Sequence, residues 1–131
     1  MTKKLKSNII GIFALALLIG GFGWSINAHA ASTSYSASGS SYIDGKASKS
    51  WKTLDKGKAY IKVNSLSGKG TPYFKLKRMV TIGIDKSYGE VKVTKTGTYK
   101  FPNNADVNNN RYYLVVNMSG GASTSSGYVL N

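Results

Sequence analysis

Downstream of Trp51 the chain alternates apolar and polar residues in short runs broken by Gly, Asn, Asp and Pro, the signature of half-buried β-strands. In AYIKVNSL (59–66), Ile61 and Val63 share one face, with Tyr60, Lys62 and Asn64 opposite. PYFKLK (72–77) turns Phe74 and Leu76 inward and Tyr73, Lys75 and Lys77 outward. MVTIGI (79–84) continues the pattern with Val80, Ile82 and Ile84. GEVKVTK (89–95) predicts burial of Val91 and Val93 with Lys92 exposed, and TYKF (98–101) burial of Tyr99 and Phe101 with Lys100 exposed. RYYLVVNM (111–118) is apolar on both parities: Tyr112, Leu114, Val116 and Met118 on one face, Tyr113 and Val115 on the other. It reads as a central strand or one covered on both sides by loops. GYVLN (127–131) predicts a closing strand, and SLSGKGTP, DKSYGE, TKTG, PNNADVNNN and SGGASTSSG read as turns.

Seven or so short strands and no long amphipathic helix predict an all-β fold, a single antiparallel β-sandwich of jelly-roll or Ig-like type, or else a small barrel. The sandwich domain spans 51–131. Residues 31–50, rich in Ser, Gly and Ala, read as an N-terminal arm or a weak edge strand. Arg78 breaks the pattern, because it shares the parity of Phe74, Leu76 and Val80. A bulge at Lys77–Met79 would resolve this by dividing the run into two strands; an inward charge guarding an edge is the alternative.

The first thirty residues are of another kind. Lys3, Lys4 and Lys6 precede an apolar run from Ile9 to Phe22, and Ala28-His29-Ala30 supplies the small-residue cleavage pattern. The expectation is a signal peptide over 1–30, cut after Ala30, leaving 101 residues for one domain with one core. The expected product is secreted, free in the medium or associated with the cell wall. The lysine-led signal and the absence of cysteine lean towards a Gram-positive source.

Cleavage would remove the sole histidine, His29, together with Trp24, and there is no cysteine. Histidine- and cysteine-based nucleophiles and metal sites are then excluded, and no serine lies three residues before a lysine. Asp85 and Glu90 flank DKSYGE but are explained by a turn and a strand start. Asp106, among the asparagines of PNNADVNNN, has calcium-type oxygens, yet one carboxylate in a basic protein gives little affinity. The expectation is a protein that is not an enzyme and uses no cofactor or metal.

Charge carries more information. Residues 31–131 hold fifteen basic and five acidic residues, a net +10, and all the basic residues but Arg78 and Arg111 are lysines. Lysine is a hydrated point charge without the fork that reads bases, so the balance favours a repeating anionic polymer over specific nucleic-acid recognition. The binding residues expected from parity are Lys62, Lys75, Lys77, Lys92 and Lys100 with Tyr60 and Tyr73. If their strands share one sheet, they make a cationic face with aromatic rings among the charges. Rings stack on sugars while ammonium groups meet phosphate or carboxylate, and teichoic acids and related wall polysaccharides offer both. An anionic membrane surface is a further partner of the same sign. Trp51 is read as a packing residue before a binding one.

The order LDKGKAYIKVNS, YFKLKR, VKVTKTGTYKF, YYLVVN, GYVL, with Gly57 and Tyr60 ahead of Gly97-Thr98-Tyr99, resembles small secreted bacterial β-sandwich modules of the pre-peptidase C-terminal and carbohydrate-binding type. The resemblance spans roughly 54–131 and implies a jelly-roll-like fold with an accessory binding role. The chain departs from those modules in being basic and in lacking their acidic calcium ligands. Two functions follow as expectations. The first is a secreted, non-enzymatic protein that binds the anionic cell envelope or an extracellular polyanion. The alternative is a secreted antimicrobial, bacteriocin-like protein acting on the envelope of competing bacteria.

Overall fold

A computed structural model describes residues 31–131; the expected signal segment, with His29, Trp24 and the cleavage position after Ala30, lies outside the described residues. Nine strands follow in chain order: β1 (Ser32–Gly39), β2 (Tyr42–Asp44), β3 (Lys52–Leu54), β4 (Tyr60–Gly68), β5 (Thr71–Arg78), β6 (Lys86–Lys92), β7 (Gly97–Lys100), β8 (Asn109–Ser119) and β9 (Ser123–Leu130). The described residues contain no helix. They form two antiparallel sheets packed together, as in a β-sandwich. Sheet A has the order β1-β9-β4-β7, and sheet B the order β2-β8-β5-β6, with β3 also paired to β8.

Alternation decides the core, since successive side chains of a strand face opposite ways. Sheet A contributes Tyr35, Ala37, Ile61, Val63 and Val129; sheet B contributes Phe74, Leu76, Tyr88, Tyr112, Leu114, Val116 and Met118. Tyr35 meets Phe74 across the layers in an edge-to-face contact at 5.3 Å, and its hydroxyl is satisfied by Ser125 Oγ at 2.8 Å. β1 is thus a full edge strand, paired to β9 over its whole length, and the core extends upstream of Trp51. Among the described residues, strands from β1 to β9 all contribute to one core between the two sheets.

β8 occupies the middle of sheet B, and its residues 112–116 are buried on both parities. Between β2 and β3 the chain lies against it, with Gly45 N donating to Leu114 O at 2.8 Å and Trp51 packing edge-on against Tyr113. Phe74, Leu76, Val93 and Phe101 are fully buried as their periodicity requires, Val91 and Tyr99 only partly so, and Leu54, outside the periodic runs, is fully buried as well.

Four expectations are corrected. Residues 79–84 are not a strand: the segment between β5 and β6 is a loop, and Ile82 and Ile84 are 91% and 93% exposed. The turn read at DKSYGE is instead the start of β6. The physical reason is pairing. Met79 N makes one last bond in the β5–β8 register, to Arg111 O, but beyond it the Asp85 carboxylate closes the loop by accepting from Val80 N, and residues 80–84 pair with no neighbouring strand.

The bulge is also elsewhere. β5 pairs with β8 without a shift through Arg78, and the irregularity lies on the β6 side, where two residues, Tyr88 and Gly89, stand against Leu76 alone. Gly89 takes the positive φ of 97° that this bulge needs. The extra residue turns Tyr88 inward beneath Arg78, which keeps its inward parity at the end of the sheet. A second shift lies in β4 between Val63 and Ser65. Most of SGGASTSSG belongs to β9 and its first serine to β8, leaving only 120–122 in the turn.

Candidate functional site

The register places the expected binding residues on both outer faces. β4 and β7 bring Tyr60, Lys62 and Lys100 to sheet A, where Tyr60 lies opposite Lys100 and Lys62 opposite both Thr98 and Tyr128. β5 and β6 bring Tyr73, Lys75, Lys77 and Lys92 to sheet B. The five lysines therefore form two groups on opposite sides of the molecule.

The sheet B group is the denser. One cross-strand row runs Tyr42, Asn117, Tyr73, Lys92, and the next runs Asp44, Val115, Lys75, Glu90. The third holds Tyr113, Lys77 and Ser87. Residues directly opposite on neighbouring strands are about 5 Å apart, so the β5 and β6 side chains form one surface. It is continuous with Tyr42 through the exposed Asn117 and bordered at Val115 and Tyr113, which the β2–β3 connection buries. Lys92 Nζ stands 6.0 Å over the Tyr73 ring, at the outer limit of cation–π attraction.

The sequence reading missed part of this face. Tyr42 is 59% exposed in the first row. Trp51 packs against Tyr113 at 6.0 Å and carries the Arg111 guanidinium over its own ring at 5.0 Å. The lone Tyr42 in a Ser-rich stretch carried no periodic signal, and Trp51 precedes a strand of only three residues. Sheet A differs in chemistry: Ser34, Ser36, Ser38, Thr124 and Ser126 share the outward parity with Lys62, and hydroxyls meet at Ser38–Thr124 (3.0 Å) and Ser65–Ser126 (2.7 Å). No acid lies on any of its four strands.

The ion pairs among the described residues are Lys46–Asp85, Arg78–Asp106 and Lys86–Asp106. None uses an expected binding lysine. Asp85 accepts from Lys46 Nζ at 2.8 Å and from the Tyr113 hydroxyl at 2.6 Å. These bonds, Lys46 foremost, hold its carboxyl down at about 2. Asp106 is held equally low, at about 2, by Lys86 first and then by Tyr88. It accepts from Lys86 Nζ at 2.7 Å and the Tyr88 hydroxyl at 2.5 Å, and Arg78 Nε donates to that same hydroxyl at 2.8 Å. Burial first, then Asp106, raises the Tyr88 phenol far above its ordinary value.

Both carboxylates thus serve as internal anchors. No group of three or more His, Cys, Asp or Glu side chains among the described residues could hold a metal. Lys52, opposite Tyr112 and buried, spans the sheets to donate to Ser34 O at 2.7 Å, and desolvation lowers its pKa. It acts in packing and does not reach the outer face. Comparison with protein-family models, with curated proteins and with solved structures finds no match to this chain.

Proposed function

We propose that this is a secreted, non-enzymatic protein that binds an anionic envelope polymer, of the teichoic acid or acidic polysaccharide kind, on the outer face of sheet B. The observation that carries the reading is the adjacency of Tyr73, Lys75, Lys77 and Lys92 in consecutive register rows beside Tyr42 and the Arg111–Trp51 stack. The lysines there are outside the ion pairs, so their charge is available to a ligand. A polymer of sugars and phosphates needs both elements: ring faces to stack on and cations at intervals along it. Lys62 and Lys100 on sheet A extend the positive field to the other side and speed encounter by long-range attraction.

The fold reading that goes with this is a jelly roll. Taking β2 and β3 as one interrupted strand, the pairs β1·β9, β2/β3·β8, β4·β7 and β5·β6 are those of a single long antiparallel hairpin wound into two sheets. It agrees with the accessory binding role implied by the resemblance to carbohydrate-binding modules.

The test is retention on purified cell walls with and without teichoic acid. Binding of wild type that falls steeply as salt rises past about 0.1 M, where the screening length is roughly 10 Å, supports the reading. Loss on removal of the anionic polymer supports it further. Retention indifferent to both treatments counts against it.

A further inference from the structure

The loop between β5 and β6 is the least expected surface of the protein. Thr81, Ile82, Gly83 and Ile84 are all exposed, and the two isoleucines project almost wholly into solvent. The base beneath them is pinned. Met79 N donates to Arg111 O at 3.0 Å, Val80 N to Asp85 Oδ1 at 3.2 Å, and Asp85 Oδ2 is held by Tyr113 and Lys46. A constrained neck under a bare apolar tip is a different object from a polar loop that wanders. Gly83, at φ 101° with open space where a Cβ would stand, forms the turn at the apex.

The surroundings are cationic. Lys77 and Arg78 enter the loop, Lys86 leaves it, Lys46 is bound to its neck, and Arg111 supplies the carbonyl that anchors Met79. The neighbouring 102–108 loop adds Val107, 38% exposed and fixed by the Tyr112 hydroxyl on its carbonyl at 2.6 Å. Asp85 and Asp106 pair with Lys46, Arg78 and Lys86 here, so five cations against two carboxylates leave this end at a net +3 around its aliphatic points.

We propose that this end docks on an anionic lipid bilayer, with Ile82 and Ile84 entering the interface and the surrounding cations meeting lipid phosphates. A bilayer suits the shape better than a protein does. The apolar part is a narrow protrusion, far short of the roughly 1,200–2,000 Å² buried in a stable protein complex, whereas apolar side chains with adjacent Lys and Arg are what an anionic membrane surface retains. The inference shares Lys77 and Arg111 with the polymer-binding face, but Ile82 and Ile84, on which it turns, lie outside that face, as Tyr73, Lys75 and Lys92 lie outside the loop end.

The experiment is sedimentation of residues 31–131, the product expected after signal cleavage and first checked for folding by circular dichroism, with vesicles of phosphatidylglycerol and phosphatidylcholine or of phosphatidylcholine alone. Wild type is expected on the anionic vesicles only. The double variant Ile82→Ser, Ile84→Ser is expected to lose on the order of tenfold or more in partitioning, with an unchanged circular dichroism spectrum and unchanged retention on walls. In a second variant, Ile84→Trp, the fluorescence should shift to the blue on adding anionic vesicles, beyond any shift from Trp51 alone.

Equal partitioning of wild type and the serine variant would overturn the proposal and leave charge alone as the cause. Self-association in solution that disappears in the serine variant would overturn it in favour of a second copy as the occupant. Wild type that binds anionic vesicles through the isoleucines but is not retained on walls would strike the polymer-binding reading and leave this one standing.

Discussion

The hydroxyl of Tyr113 donates to Asp85 Oδ2 at 2.6 Å, joining the central strand of sheet B to the neck of the β5–β6 loop. Lys46 reaches the same oxygen from the β2–β3 connection. One carboxylate thus ties together three segments that are distant in sequence, and it does so as an ion.

That ionisation sets the acid limit of the fold. Asp85 and Asp106 both lie at about 2 in the folded protein against an ordinary 3.8. A depressed carboxyl contributes stability above its unfolded pKa and loses it as pH falls through the folded one. Melting temperature should hold above about pH 4 and drop towards pH 2. The double variant Asp85→Asn, Asp106→Asn should melt lower at neutral pH and show a flatter acid limb. Thermal melts across that range check this, and identical acid limbs would contradict it.

At the alkaline end the sign reverses. Tyr88 and Tyr113 are raised well above the ordinary phenol value of 10, burial being the largest cause in both. A raised group stabilises fully below its unfolded pKa, and that contribution fades as pH climbs beyond it. Phenolate absorbance should therefore show a late step, for Tyr88 and Tyr113, that coincides with unfolding.

Removing the Tyr88 hydroxyl isolates the bulge. Tyr88→Phe keeps the ring against Tyr112 but takes one donor from Asp106 and the acceptor from Arg78 Nε. Loss of a hydrogen bond to a charged group costs about 1.5–3 kcal/mol, measurable by urea titration. No change in the midpoint would show that solvent replaces the bond.

Gly127 marks the closest approach in sheet A. It pairs with Val63 beside the β4 irregularity, and a Cβ there would fall on the Lys62 carbonyl oxygen. Gly127→Ala should cost about 3 kcal/mol or more, since neighbouring backbone would have to move. Gly57→Ala, with no atom near its Cβ position, provides a contrast in which only the φ of 144° is strained. Denaturant midpoints should rank Gly127→Ala below Gly57→Ala.

Alternation was a sound guide wherever a strand had a partner on both sides or a sheet beneath it. The burial of Ile61, Val63, Phe74, Leu76 and Phe101 follows from parity alone, as does the double-sided burial of β8. It misled at MVTIGI, where the period of a strand is present but no neighbour pairs with it; hydrogen-bond partners, not period, decide whether such a run joins a sheet. Arg78 looked anomalous for a related reason. Its inward parity is genuine, and the compensating partners, Tyr88 and Asp106, lie ten and twenty-eight residues away, beyond any local pattern. The outward lysines were legible individually, but their division between two sheets depends on topology, and Tyr42 and Trp51 gave no periodic sign of joining the face that holds four of the seven expected residues.

The central claim is that the outer face of sheet B recognises an anionic polymer by charge and ring stacking. The direct measurement is the affinity of residues 31–131 for purified teichoic acid, by calorimetry at low and high salt, for wild type and for Lys75→Gln, Lys77→Gln, Lys92→Gln combined. At about 0.5–1 kcal/mol per exposed lysine contact, the triple variant should bind roughly tenfold to a hundredfold more weakly at low salt, and the gap should close as salt rises. Equal affinity of the two proteins at low salt would contradict the account.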